Sequence, residues 1–178
     1  LDFNYRTSLF NDKVSFSINQ LFFYTRINNP LVLTPTASSY FQYLQPNGFI
    51  DTKGMETNIK LTYKNFKLFI GYTLADVNQH YNTTTEFPLV ARHRLNNVLM
   101  YGNEYKLKIG LEAYYFSPQK LNDGATGKQY WLTGFMNEKL WEHFSIFANF
   151  ENFIDTRQTK FDTIYTGTIT NPIFRDIY

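Results

Sequence analysis

The chain has 178 residues, 43% hydrophobic and 19% aromatic, with 14 Tyr and 18 Phe and only 18% charged residues. No run reaches the roughly 18 apolar residues of a transmembrane helix, which excludes a helical membrane protein, and the absence of Cys removes disulfides, thiolate catalysis and Cys-based zinc sites. A net charge of +2, with Lys and Arg scattered along the chain, supplies neither a basic arm nor an acidic tail, so nucleic acid is not expected as a partner.

Alternating segments follow from the first residue. Leu1 to Phe10 carries Phe3, Tyr5, Thr7 and Leu9 on one face. A turn at Asn11-Asp12-Lys13 leads into Val14 to Ile27, with Val14, Phe16, Ile18, Phe22 and Tyr24 in phase. A long connection from Asn28 to Asn47 holds Pro30, Pro35, Ser38, Ser39 and Pro46. Gly54 to Tyr63 and Phe66 to Ala75 then flank a two-residue turn at Lys64-Asn65. On this hairpin Leu61, Tyr63, Phe66, Leu68, Ile70, Tyr72 and Leu74 share one face, and Thr62, Lys67, Gly71 and Thr73 the other. A polar stretch, DVNQHYNTTTEFPLVARH, precedes Arg94 to Tyr101, and the tight turn GNEY gives Lys106 to Phe116, with Leu107, Ile109, Leu111, Ala113 and Tyr115 in phase. SPQKLNDGATGKQ is a third long loop. Tyr130 to Met136, a turn around NEKLWEH and Phe144 to Asp155 complete eight predicted strands.

Short and long connections alternate, so the long ones fall at one end. That is the asymmetry of an outer-membrane barrel, with tight periplasmic turns and longer extracellular loops. The mean hydropathy of -0.37 does not oppose this, because lipid-facing and lumen-facing residues alternate and cancel. Tyr63 and Phe66 flank a turn, and Tyr24, Tyr72, Tyr101 and Tyr115 are expected near strand ends, where amphipathic rings suit a membrane interface. A soluble sheet with ordinary cross-strand aromatic pairs is the competing account. The expected fold is all-β: an antiparallel transmembrane β-barrel of about eight strands, one face on lipid and the other on a lumen.

The segments VSFSINQLFFYTRINNP, GFIDTKGMETNIKLTYKNFKLFIGYTLADV, FPLVARHRLNNVLMY and FSIFANFENFIDTRQT together resemble the C-terminal part of the barrel of TonB-dependent outer-membrane receptors, of the kind abundant in Bacteroidetes. The resemblance is carried by Gly54, Glu56 and Lys60 on one strand. It is also carried by Pro88, His93, Arg94 and Leu95 entering another, and by Asn149, Asn152, Phe153 and Asp155 at the end of the last. It implies a bacterial outer-membrane location and import of a scarce nutrient, a ferric siderophore or similar metal chelate. The implied partners are outer-membrane lipid and lipopolysaccharide, the remainder of the same barrel, and the TonB-ExbB-ExbD complex acting through a plug. Such receptors have a globular plug and about 22 strands. This chain shows no plug and room for about eight strands, so residues 1–178 are expected to be a single-domain barrel fragment. A complete small eight-stranded outer-membrane barrel with a structural, adhesive or enzymatic role is the alternative.

The candidate ligand-binding residues are Arg26, His80, Tyr81, Arg92, His93, Arg94, Arg157 and Lys160, cations and aromatics in predicted extracellular connections and strand ends. Such groups grip an anionic or aromatic metal chelate. Solvated loop residues, or lipopolysaccharide contacts at Arg92 and Arg94, are the competing accounts. The three histidines, His80, His93 and His143, have no metal-binding spacing, no Gly-x-Ser-x-Gly occurs, and neither an enzyme nor a resident cofactor is expected. Glu56, Asn58, Lys60, Lys67, Lys108, Glu112, Asn149 and Glu151 are expected to face the lumen, hydrogen-bonding a plug or water.

Overall fold

A computed structural model describes residues 1–35, 41–81, 90–103, 106–120 and 126–157. Strand-forming residues dominate them, and twelve strands result: β1 (Asp2–Leu9), β2 (Val14–Asn28), β3 (Val32–Pro35), β4 (Phe41–Leu44), β5 (Phe49–Tyr63), β6 (Phe66–His80), β7 (His93–Asn103), β8 (Leu107–Phe116), β9 (Gln119–Lys120), β10 (Thr126–Gly127), β11 (Tyr130–Leu140) and β12 (Ser145–Glu151). Eight of them form one antiparallel sheet in the order β1-β2-β5-β6-β7-β8-β11-β12. The two small hairpins, β3 with β4 and β9 with β10, lie in the long connections. The all-β antiparallel fold is the one read from the sequence.

The register shows why this sheet forms. Residues paired across antiparallel strands share a face. One uninterrupted row runs Val14, Tyr63, Phe66, Tyr101 and Ile109, and the next runs Phe16, Leu61, Leu68, Leu99, Leu111, Phe135 and Phe150. All eight residues expected on the lumen side fall on the opposite, polar face: Glu56, Asn58 and Lys60 of β5, Lys67 of β6, Lys108 and Glu112 of β8, and Asn149 and Glu151 of β12. A one-residue slip would exchange the two faces of a strand, so the pattern fixes the register.

No second layer covers the apolar face among the described residues, and no large side chain there is fully buried. Leu99 and Leu111, central in their strands, are 42% and 45% exposed. A soluble sandwich buries such a face against a second sheet.

Connections sort by end. The strand ends joined by the short connections, β1 to β2, β5 to β6, β7 to β8 and β11 to β12, lie at one end of the sheet, whereas the strand ends from which the longer connections leave, after β2, β6 and β8, lie at the other. Lys64 takes the left-handed conformation (φ 50°) that a two-residue hairpin turn demands. Aromatics gather at both levels of the apolar face. Phe66 and Tyr101 lie 4.9 Å apart near the short turns, where Trp141 and Phe144 also stack at 4.7 Å, and Tyr115 and Trp131 pair at 5.2 Å nearer the other end.

Several strand limits differ from the sequence reading. β5 starts at Phe49, not Gly54, and β6 runs to His80, not Ala75, so Tyr72 lies in mid-strand and not near an end. β11 continues to Leu140, beyond Met136, helped by the Lys108–Glu138 ion pair at 3.0 Å between β8 and β11. β12 stops at Glu151, short of Asp155. There Asn152 captures the chain: its Oδ1 accepts from the Thr156 backbone N–H at 2.9 Å and its Nδ2 donates to the Thr156 carbonyl at 3.0 Å. Asn152 and Asp155 both take positive φ (48° and 52°), making a turn where the alternation predicts strand.

Candidate functional site at the long-connection end

β5 and β6 outrun the apolar band. On the apolar side, Met55 and Leu74 are followed toward the long connections by Lys53 and Asp76, then Asp51 and Asn78, then Phe49 and His80. Strand pairing continues, but the side chains have become polar and charged.

His80 stands in this extension. Its ring stacks on Phe49 at 4.2 Å and 24°, and its Nε2 lies 3.1 Å from Asp51 Oδ1. The Arg26 guanidinium caps the other contact of Phe49, 3.6 Å from the ring centroid, while Arg26 Nε donates to Asn28 Oδ1 at 2.9 Å. Arg26 and His80 are thus joined through one phenyl ring, a cation–π arrangement. Tyr81 follows directly; its hydroxyl is buried without a described partner, and burial pushes its pKa above the ordinary phenol value. Gly48 makes room for this corner at φ 148°, because a Cβ there would meet the His80 carbonyl oxygen and Tyr81 Cβ.

Arg92 Nε lies 3.6 Å from Asp76 Oδ1, and Lys53 Nζ lies 4.0 Å from Asp76 Oδ2. Above His93, β6 loses its β7 partner, and a notch of about 500 Å³ opens along its edge. Asp76, His80, Arg92, Gln119, Lys120 and Thr126 line it. Two expected ligand-binding residues, His80 and Arg92, therefore share one cavity.

The other expected residues are elsewhere. His93 lies on the apolar side, with Nδ1 2.8 Å from the Tyr72 hydroxyl, and its backbone is tied to Ser117 by two 3.0 Å hydrogen bonds. Arg94 belongs to the polar face, opposite Thr73 and Phe116. Arg157 Nε contacts Asp155 Oδ1 at 2.6 Å and lines a separate cavity of about 860 Å³ on the polar face, with Glu112, Tyr114, Met136, Asn149 and Glu151. Lys160 lies outside the described residues. The sequence reading missed Phe49, Asp51, Asp76 and Gln119. Asp76 carried a usable signal: it occupies the phase of Ile70, Tyr72 and Leu74 but is charged, marking where the apolar band ends and the strand does not.

Among the described residues no group of three His, Cys, Asp or Glu side chains is placed to hold a metal ion. The notch is open to solvent and presents the Arg92 and Lys120 cations, the His80 imidazole and the Gln119 amide, with the Asp76 carboxylate beside Arg92.

No protein-family model and no curated protein matches the sequence. Among solved structures, the chain is similar to the ferric-catecholate import receptor Fiu of E. coli K12 in its closed form, with a TM-score of 0.59 and 14% identity over 88% of this chain. The chain spans 23% of the length of that receptor chain, and at this identity the likeness is one of fold.

Proposed function

We propose that this chain is wall and rim of an outer-membrane, TonB-dependent importer that takes up a ferric siderophore or similar anionic metal chelate, the rest of the barrel and the TonB-coupled plug lying outside residues 1–178. The observation that carries the reading is the eight-stranded sheet whose faces divide into apolar and polar and whose connections divide by length between its ends. The likeness in fold to a ferric-catecholate import receptor supports it. In this reading the apolar face meets lipid, because only there is an uncovered apolar face of this extent stable. The polar face meets the lumen, and the notch beside β6 captures ligand, the Arg92 guanidinium attracting the chelate's negative charge and the His80 ring adding a hydrogen-bonding group.

The test uses the intact protein in cells that depend on it for iron. Replacing His80 and Arg92 together by Ala should weaken binding of a ferric catecholate by about tenfold or more, the worth of one or two charge-assisted contacts. The amount of inserted protein should stay the same. Unchanged binding by the double variant removes the notch as the capture site, and iron uptake unaffected by loss of the whole protein removes the import reading.

A further inference from the structure

Packing at the corner between β4 and β5 dictates one residue and leaves its neighbour open. Gly48 runs against the end of β6, where any Cβ would collide with the His80 carbonyl oxygen and lie 2.9 Å from Tyr81 Cβ, so no larger residue fits. Asn47 precedes it in a bend outside any strand and is exposed. Neither the Asn47 side chain nor the Gly48 N–H makes a hydrogen bond to a described residue, whereas the Gly48 carbonyl accepts from the Asn29 N–H at 2.8 Å. Asn47-Gly48 is the one Asn-Gly pair in the chain. In such a pair the following backbone nitrogen reaches the side-chain carbonyl carbon with least obstruction, because glycine has no Cβ. At the same corner a cavity of about 610 Å³ is lined by Pro46, Asn47, Gln79, His80 and Tyr81. Gln79 and His80 also line the notch, so a charge gained at residue 47 stands across one shared wall from it.

We infer that Asn47 is a self-modification site, deamidating through Gly48 and turning an uncharged rim residue into a carboxylate that weakens capture of an anionic ligand in the notch. The Gly48 nitrogen gives up its proton to hydroxide and forms a bond to Asn47 Cγ, and the side-chain nitrogen leaves as ammonia. Water then opens the cyclic imide at one carbonyl or the other, giving aspartate or isoaspartate. One water is consumed and one ammonia released, and no oxidant or reductant takes part. The carboxylate formed repels an anion next door, and a unit charge acting through water across a cavity changes affinity by about two- to threefold at low salt. The effect on capture rests on the function proposed above, but the deamidation does not.

The test holds the intact protein, folded in its membrane, in mildly alkaline buffer made with heavy-oxygen water, and follows its peptides by mass. Asn47 should take up one labelled oxygen and give two separable products, aspartate and isoaspartate. It should convert at least about tenfold faster than Asn11, which is also exposed in a turn but is followed by Asp12. Asn47→Gln, whose longer side chain would have to close a larger ring, should not convert over the same period. In a second arm, Asn47→Asp should bind the ferric complex of catechol about two- to threefold more weakly than wild type at low salt, and the gap should close in molar salt. An Asn47 that converts no faster than Asn11 overturns the site. Equal affinity of wild type and Asn47→Asp overturns the effect on capture. Absence of binding by wild type removes the function proposed above, while the mass measurement still decides the deamidation.

Discussion

Replacing Ile70 by Lys should cost far more than replacing Ile109 by Lys, although both face the apolar side. On β6, Ile70 lies four residues from Phe66 at the short turn and six from Asp76, where charge begins. At about 3.3 Å per residue this is roughly 13 Å along the strand from the turn, or about 10 Å of depth at a tilt near 40°. In an apolar band roughly 25 Å tall, that is close to the centre, where Lys costs about 2 to 4 kcal/mol. Ile109 is only two residues from the first residue of β8, Leu107, and pairs with Tyr101 at the level of the aromatic ring around the short turns. There a Lys head group can reach water along its own stem, and the cost falls to about 0 to 1 kcal/mol. Leu111, in register with Leu68 through Leu99, lies one step further into the band than Ile109 and should cost more than it, and Lys at Thr73 on the polar face should cost little. The assay is a denaturant titration of each variant refolded into lipid vesicles, comparing midpoints at constant slope. A loss at Thr73 equal to that at Ile70, or a loss at Ile109 equal to that at Leu111, would refute the placement of the band.

Spin labels at successive positions 66 to 73 should report lipid at 66, 68, 70 and 72 and water at 67, 69, 71 and 73; a period near 3.6 would remove the sheet reading. Gly54→Ala should destabilise by about 1 to 3 kcal/mol, since the new Cβ would lie 2.6 Å from Phe23 Cζ and collide with the Leu74 carbonyl oxygen. Gly102→Ala, whose nearest neighbour would be a Lys108 methylene at 3.8 Å, should stay within about 0.5 kcal/mol in the same titration. Glu138→Gln, which breaks the partly exposed ion pair with Lys108, should cost under about 1 kcal/mol, a loss that disappears in molar salt.

The period-two pattern made the faces legible. Every residue assigned to a side of the Tyr63–Phe66 hairpin is on that side, and β1, β2 and β8 follow suit. What the pattern could not show is where strands end, because alternation of apolar and polar residues records the height of the apolar band and not the length of the strand. Residues 49 to 53 of β5 and 76 to 80 of β6 alternate too, but with Asp51, Lys53, Asp76 and His80 on the side that was apolar below. Read by hydrophobicity they are loop; read by hydrogen bonding they are strand. β11 hides its last residues the same way, with Asn137 and Lys139 on the apolar side. The site suffered more, since its members were chosen by residue type in predicted connections and strand ends, without regard to which face each would take. Arg26, His93 and Arg94 are strand residues whose direction follows from parity alone, and parity sends Arg94 to the opposite face from the other two.

The glycines extend the same logic from side to shape. Gly54, Gly71, Gly102, Gly110 and Gly134 all fall on the polar face of the main sheet. At Gly71 a Cβ would sit 3.1 Å from Asn58 Oδ1, at Gly110 3.3 Å from Met136 Cε, and at Gly134 3.3 Å from Glu112 Oε2. In each case the space above the glycine is already taken by a side chain leaning in from the neighbouring strand. Each of these contacts is between residues directly opposite one another on neighbouring strands, where side chains of an antiparallel pair lie closest. The cavity on that face is lined by residues of β8, β11 and β12 together with Asn152, Asp155 and Arg157 of the segment that follows β12. The glycines of the polar face thus leave room for long side chains that share that face, Phe23 over Gly54 and Met136 over Gly110 among them, so a residue without a side chain is matched to a neighbour that needs its space.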